Sequence, residues 1–177
     1  RCGTDCFGAG FLPSIHQGVR LRGNGDPVLY LGDPAGISRD TRRHSLDALK
    51  TLNQSEFNAF GDPEIQTRIA QYELAYRMQA SVPEAVDLAS EPQHIHDLYG
   101  TQPGKKHFGN NCLLARRLLE RGVRFVQVNH GEWDMHGGKR VNIPTHLPIL
   151  CNDTLHGAVA LIKDLKSRGM LDDTLVI

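Results

Sequence analysis

The sequence lacks any uninterrupted apolar run that approaches the roughly 20 residues of a membrane-spanning helix. It also lacks a signal peptide at its start, because the chain opens at Arg1 without a methionine or an apolar leader. We therefore predict that the chain does not span a membrane. We also expect that both of its termini were cut from a longer protein.

An excess of charge of one sign is absent too. Lys and Arg together number 20, Asp and Glu together also number 20, and the formal net charge is zero. Nucleic acids and anionic lipid surfaces attract proteins through a basic field, which this composition does not supply. We predict that nucleic acid is not a partner.

Cysteine is scarce, with only four residues in a chain of 177. This number is too small for a disulfide scaffold. Cys112 and Cys151 lie in predicted helices among apolar neighbours, where a free cysteine behaves as a small hydrophobic residue. Cys2 and Cys6 lie on a glycine-rich opening segment, and their spacing leaves open whether they pair with each other.

The apolar pattern that remains predicts helices joined by short strands. The predicted helices cover Thr41–Asn53, Asp62 to about Ala80, a short stretch from Ser81 to Leu88, Lys106–Arg121, and about Thr145–Arg168. Short apolar runs predict strands or extended segments at Pro27–Leu31, Val123–Val128 and Thr174–Ile177. Helix, strand, helix and strand in this order form a parallel crossover, so we predict an α/β fold with a mostly parallel sheet.

The segment from Val123 to His136 is the predicted centre of function. Its apolar run is typical of a strand buried on both faces, and His130, Glu132, Asp134 and His136 follow at every second position. In open α/β sheets, ligands bind beyond the carboxyl ends of the strands. Imidazole and carboxylate groups at such an end predict a divalent metal site.

Asp134 and His136 form the better pair of candidate ligands in this loop. His130 and Glu132 lie closer to the strand, and three roles stay open for them: metal ligands, hydrogen-bonding groups behind the ligands, or surface residues. A surface loop that binds no metal is the alternative interpretation of the whole segment. Two ligands do not close a metal site, so the ion could be zinc, manganese, magnesium or calcium.

Five stretches of the sequence carry a resemblance to a known family. They are Gly8–Gly18, Gly61–Gln79, Cys112–Gln127, the W-D-M-H motif Trp133–His136, and Asp164–Ile177. Together they resemble the DUF1501 family of bacterial sulfatase-like proteins, within the alkaline phosphatase-like superfamily. The match extends over nearly the whole chain.

The resemblance implies an α/β/α sandwich in which residues 1–177 are the middle part of a single alkaline phosphatase-like domain. It implies that Asp134 and His136 bind one metal ion in a hydrolase of phosphate or sulfate esters, with a small-molecule or polymeric substrate. The nucleophile and the other ligands would lie in parts of the domain beyond this chain, so we expect the chain alone to be inactive. An exported, periplasmic parent fits this resemblance, and a catalytically silent binding or structural protein is the alternative.

Overall fold

The computed structural model of the chain describes residues 8, 10–12, 16, 18–21, 28, 32–102, 104–131, 133–138 and 142–177. These residues form five α-helices, which are α1 Arg39–Phe60, α2 Pro63–Val86, α3 Gln93–Tyr99, α4 Phe108–Glu120 and α5 Ile143–Ser167. Short 3₁₀ turns occupy Leu88–Ser90 and Leu171–Asp173. The described residues fall into two compact units, and α2 passes from the first unit to the second between Glu84 and Ala85. That residues 1–177 belong to one domain stays a prediction.

Helix α1, in the first unit, is longer than the sequence predicted. Ser38 caps its first turn by accepting a hydrogen bond from the Thr41 N–H at 3.1 Å. Gly61 ends the helix in the left-handed conformation, with φ of 68°. The leucines spaced three residues apart on this helix do not form one buried face, because Leu46 is buried whereas Leu49 and Leu52 are exposed.

Helices α1 and α2 are joined by an arginine. Arg43 on α1 donates two hydrogen bonds to Glu73 on α2, at 2.8 and 3.1 Å, and two to Asp47, at 2.6 and 3.0 Å. The guanidinium also lies over the ring of Tyr76, 4.9 Å from its centroid. These contacts fix the pairing of two helices whose facing surfaces contain few buried apolar side chains.

Helix α2 begins where the sequence placed it but does not break where a second helix was predicted. Asp62 accepts a hydrogen bond from the Glu64 N–H at 2.9 Å, and Pro63 occupies the first turn. The helix then continues through Pro83 to Val86. A proline inside a helix removes one N–H donor and leaves the carbonyl four residues earlier without its helical partner. That carbonyl belongs to Gln79.

The core of the second unit is formed where α3, α4 and α5 meet. Its buried members are Ile95, Tyr99, Cys112, Leu113 and Ala160. Tyr99 and Leu113 are completely inaccessible to solvent. Helix α3 was not among the predicted helices, and its burial of Ile95 and Tyr99 explains why a helix of only seven residues is held in place.

Glycines allow α4 and α5 to approach each other closely. A Cβ atom on Gly157 of α5 would lie 3.1 Å from the Gly109 Cα and 3.3 Å from the Cys112 sulfur. A Cβ atom on Gly109 would lie only 2.2 Å from the backbone carbonyl oxygen of Tyr99. The start of α4 therefore packs against the end of α3 without space for any side chain.

Replacing Gly109 with alanine should destabilise the protein by about 1–3 kcal/mol, because backbone must move to admit the new methyl group. Urea unfolding of the wild type and of Gly109→Ala measures the change. Gly131→Ala is the control, since nothing lies within 4 Å of a Cβ atom at that position. Equal stability of the two variants would contradict the close packing of α3 on α4.

A network of buried charges surrounds the same core. Arg116 on α4 donates to Glu91 at 2.7 Å and to Glu120 at 2.6 Å. Arg117 donates to the Ala85 carbonyl oxygen at 2.8 Å and also to Glu91. These bonds tie the segment before α3 to α4.

The network extends to α5 through Asp164. This buried carboxylate accepts hydrogen bonds from the Tyr99 hydroxyl at 3.0 Å and from Arg168 at 2.7 Å. The Arg116 Nε atom lies 3.2 Å from the same carboxylate. Three arginines therefore face Glu91, Glu120 and Asp164, so the buried charges balance.

The predicted α/β/α sandwich with a mostly parallel sheet is wrong, because the described residues are helical and contain no β-strand. A strand requires a neighbour that pairs with its backbone groups, and neither Val123–Val128 nor Thr174–Ile177 has such a neighbour in the described part of the chain. Phe125, in the strand predicted to be buried on both faces, and Leu175, in the second predicted strand, are 90% and 85% exposed. The predicted segment Pro27–Leu31 lies outside the described residues, apart from Val28.

Candidate metal centre

The loop with the candidate ligands follows a segment that lies along the core of the second unit. Val126 and Val128 are half-buried, and Val128 packs against the buried cluster of that unit. Val123 and Phe125 are exposed. The segment was predicted to be buried on both faces, but it covers the core with one row of side chains and leaves the other in solvent.

Asp134 and His136 are in direct contact in this loop. The Nδ1 atom of His136 lies 2.7 Å from the Oδ1 atom of Asp134. Their side chains are 79% and 85% exposed, for His136 and Asp134 respectively. A contact between side chains this exposed contributes little to the stability of the fold.

The geometry of this pair is the one that orients histidine ligands in metalloproteins. With its proton on Nδ1, the imidazole of His136 donates to Asp134 and keeps a lone pair on Nε2. Metal-binding histidines commonly donate their second ring N–H to a carboxylate in this way. In this conformation His136 presents Nε2 as a ligand atom, and Asp134 orients the ring from the opposite side.

His130 has different surroundings from the pair. Its ring makes edge contacts with Phe108 at the start of α4, 5.5 Å between centroids, and with Trp133, 5.7 Å between centroids. The Nδ1 atom of His130 is buried and has no hydrogen-bond partner among the residues that the structure describes. The structure therefore places His130 against the helical core and between aromatic rings, whereas Asp134 and His136 lie in solvent.

Glu132 lies outside the described residues, so its place relative to the pair is not defined. Among the residues that are described, no group of three or more histidine, cysteine, aspartate or glutamate side chains is arranged to hold a metal ion. The donors that are in place fit one side of a coordination shell for zinc or manganese, and they do not close it.

The cysteines do not add ligands to this site within the described part of the chain. Cys112 is buried in α4, as predicted, and burial raises the pKa of its thiol to about 12. A thiol with such a pKa is a poor nucleophile and a poor metal ligand near neutral pH. Cys151 on α5 is exposed, contrary to the apolar surroundings predicted for it. Cys2 and Cys6 lie outside the described residues.

Sequence patterns missed the buried charges, which show the strongest electrostatic effects in the second unit. Burial opposes ionisation of Glu91, but hydrogen bonds from Arg116 and Arg117 outweigh it and hold the pKa of that carboxyl below 4.5. Burial, together with the neighbouring Asp164, raises the pKa of Tyr99 above its ordinary value. No local pattern identifies these groups, because Glu91 and Arg116 lie 25 positions apart in the chain.

Comparison with known proteins gives one match. The family model described as "Protein of unknown function (DUF1501)" matches residues 1–177. The chain belongs to the DUF1501 family. No curated protein and no solved structure matches the chain. In the part of this DUF1501 chain that the structure describes, no helix is both long and apolar enough to cross a membrane.

Proposed function

We propose that this DUF1501 chain is part of a metal-dependent hydrolase of phosphate or sulfate esters, in which His136 binds a divalent cation through Nε2 and Asp134 orients its ring. The observation that carries the proposal is the 2.7 Å contact between His136 Nδ1 and Asp134 Oδ1, which directs the His136 Nε2 lone pair away from its partner. The placement among sulfatase-like proteins of the alkaline phosphatase-like superfamily is part of this proposal, and it rests on the resemblance of the W-D-M-H motif.

The metal would act in such a site as a Lewis acid that stabilises negative charge on the phosphoryl or sulfuryl group. His136 would bind the metal, and Asp134 would fix the tautomer and the direction of the His136 ring. The high exposure of both side chains leaves an ester substrate, small or polymeric, free to approach. Zinc, manganese, magnesium and calcium are the candidate ions.

A second candidate function is supported by the composition of the loop. No serine or threonine occurs between Asn129 and Asn142, so the loop itself offers no hydroxyl nucleophile. A DUF1501 protein that binds a metal or a ligand without catalysis has no need of one. We therefore keep a catalytically silent binding protein as the alternative.

Metal titration tests the binding half of the proposal. Calorimetry with each of the four ions should give saturable binding of at least one, which His136→Ala should abolish. Asp134→Asn should weaken that binding about 10–100-fold, because the ring loses its orienting carboxylate. His44→Ala, an exposed histidine on α1, should bind as the wild type does. Unchanged affinity in His136→Ala would remove the metal assignment.

Ester hydrolysis by the full-length protein separates the two functions. We expect turnover of an aryl phosphate or an aryl sulfate that requires the bound ion and falls at least about 100-fold in His136→Ala. His44→Ala should retain full turnover. Metal binding that depends on His136 without any turnover would support the silent binding protein, and turnover that survives in His136→Ala would contradict the proposed site.

A further inference from the structure

His130 is the last of three partly buried side chains in the segment that leads to the loop with the candidate ligands. Val126, Val128 and His130 lie at every second position and are half-buried, whereas the residues between them are exposed. Val128 packs against the buried cluster of the second unit. A Cβ atom at Gly131, the next residue, would have no atom of the described residues within 4 Å. His130 is therefore the last side chain that contacts the helical core before the loop begins.

Ring contacts of His130 connect the start of α4 to this loop. The centroids of the His130 and Phe108 rings are 5.5 Å apart, with 81° between their planes. The centroids of the His130 and Trp133 rings are 5.7 Å apart, with 66° between their planes, and both pairs have the edge-to-face arrangement that aromatic rings prefer. Phe108 is the first residue of α4, and Trp133 directly precedes Asp134. The His130 ring therefore links the helical core to the position next to Asp134.

The nitrogen atoms of His130 lack the surroundings of a metal ligand. A histidine that binds a metal through one ring nitrogen usually donates the N–H of the other to a carboxylate, a carbonyl or water. The His130 Nδ1 atom is buried, and no described residue forms a hydrogen bond with it. If Nε2 bound a metal, the proton of the neutral ring would lie on this buried Nδ1 without an acceptor, which is unfavourable. His136 has the opposite surroundings, because its Nδ1 atom lies 2.7 Å from the Asp134 carboxylate.

We propose that His130 is a positioning residue of the metal site, whose ring contacts hold the loop in the conformation that brings Asp134 to His136, and that it does not bind the ion itself. This role rests on the proposed function, because it concerns the same site. The Asp134 and His136 side chains are highly exposed, and Gly137 follows them with φ of 139° and no described atom within 4 Å of its Cβ position. The ring contact of Trp133, on the other side of the pair, therefore restricts the loop. A loop held in its bound conformation loses less conformational entropy when a metal binds, so its affinity is higher.

Nitrogen NMR of the His136 side chain in the metal-free, full-length protein tests the positioning role. His130→Phe keeps a ring against both neighbours, so the proton of His136 should stay on Nδ1 as in the wild type. His130→Ala removes both ring contacts, so the His136 signals should shift toward those of an exposed histidine such as His44. Trp133→Ala, which removes an indole that is 44% exposed, should have the same effect and replaces His130→Ala if that variant does not fold. Wild-type His136 signals in both alanine variants would overturn the proposal.

Calorimetric titration with zinc separates positioning from direct metal binding. Positioning predicts that His130→Phe binds zinc as the wild type does, and that His130→Ala binds it at least about tenfold more weakly. His130→Phe lacks the ring nitrogens, so an affinity as low as that of His130→Ala would show direct binding and overturn the proposal. Absence of zinc binding by the wild type would contradict the proposed metal site instead, and the NMR comparison would then decide whether His130 holds the loop.

Discussion

Replacing Arg116 with methionine should lower the free energy of unfolding by about 3–5 kcal/mol. The guanidinium is 2% exposed and donates to Glu91 and Glu120. Methionine fills much of the same volume, so the main loss is electrostatic. Glu91 and Asp164 would then remain buried with fewer cations beside them, and the removal of one member of a buried network is costly for this reason.

Arg168→Met provides the matched control for Arg116→Met. Arg168 bonds to Glu120 and Asp164 in the same network, at 2.7 Å in each case, but its side chain is 34% exposed. Water can replace part of the hydrogen bonding that this variant loses, so we expect its free energy of unfolding to fall by about 1 kcal/mol or less. Urea unfolding at neutral pH measures both variants. Similar losses for the two would contradict the burial of Arg116.

Leu113→Ala should destabilise the protein by about 2–5 kcal/mol. Leu113 is fully buried in the cluster formed by α3, α4 and α5, so truncation leaves a cavity among close-packed neighbours. Leu155→Ala is the control, since Leu155 on α5 is 63% exposed and its truncation should change stability by less than about 0.5 kcal/mol. Thermal or urea unfolding decides, and a loss below about 1 kcal/mol for Leu113→Ala would contradict this core.

Helices were predictable where the sequence carries its own start and stop signals. Asp62 and Pro63 fixed the start of α2, and Gly122, with φ of 82°, follows α4 near its predicted end. These signals involve residues within one helical turn, so they can be recognised from neighbouring positions in the sequence. The pairing of α1 with α2 depends on contacts such as that of Arg43 with Glu73, which lie 30 residues apart and leave no local signal.

Strands were not predictable for the opposite reason. The run Val123–Val128 has the β-branched composition of a strand, but a strand exists only when a distant segment pairs with it. Local composition does not reveal whether that segment is present. Half-buried Val126 and Val128 alternate with exposed Phe125, which is the two-residue period of a strand. No other segment in the described part of the chain pairs with their backbone groups.

The candidate site was predictable in part. The spacing of Asp134 and His136 placed both side chains in one short loop, and their contact follows directly from that spacing. The position of His130 did not follow, because Phe108 lies 22 positions earlier in the chain and approaches His130 only through the packing of α4. Pairings as distant in sequence as Glu91 with Arg116 leave no periodic signal at all.

The protonation state of the His136 ring is the most direct test of the proposed site. Nitrogen NMR of the histidine side chains at neutral pH, assigned with His136→Ala, distinguishes a proton on Nδ1 from a proton on Nε2. The geometry predicts a proton on Nδ1 of His136, which it donates to Asp134, and a large shift of the Nε2 resonance when zinc is added. A proton on Nε2, or a His136 spectrum that no divalent ion changes, would contradict the claim that this residue binds a metal.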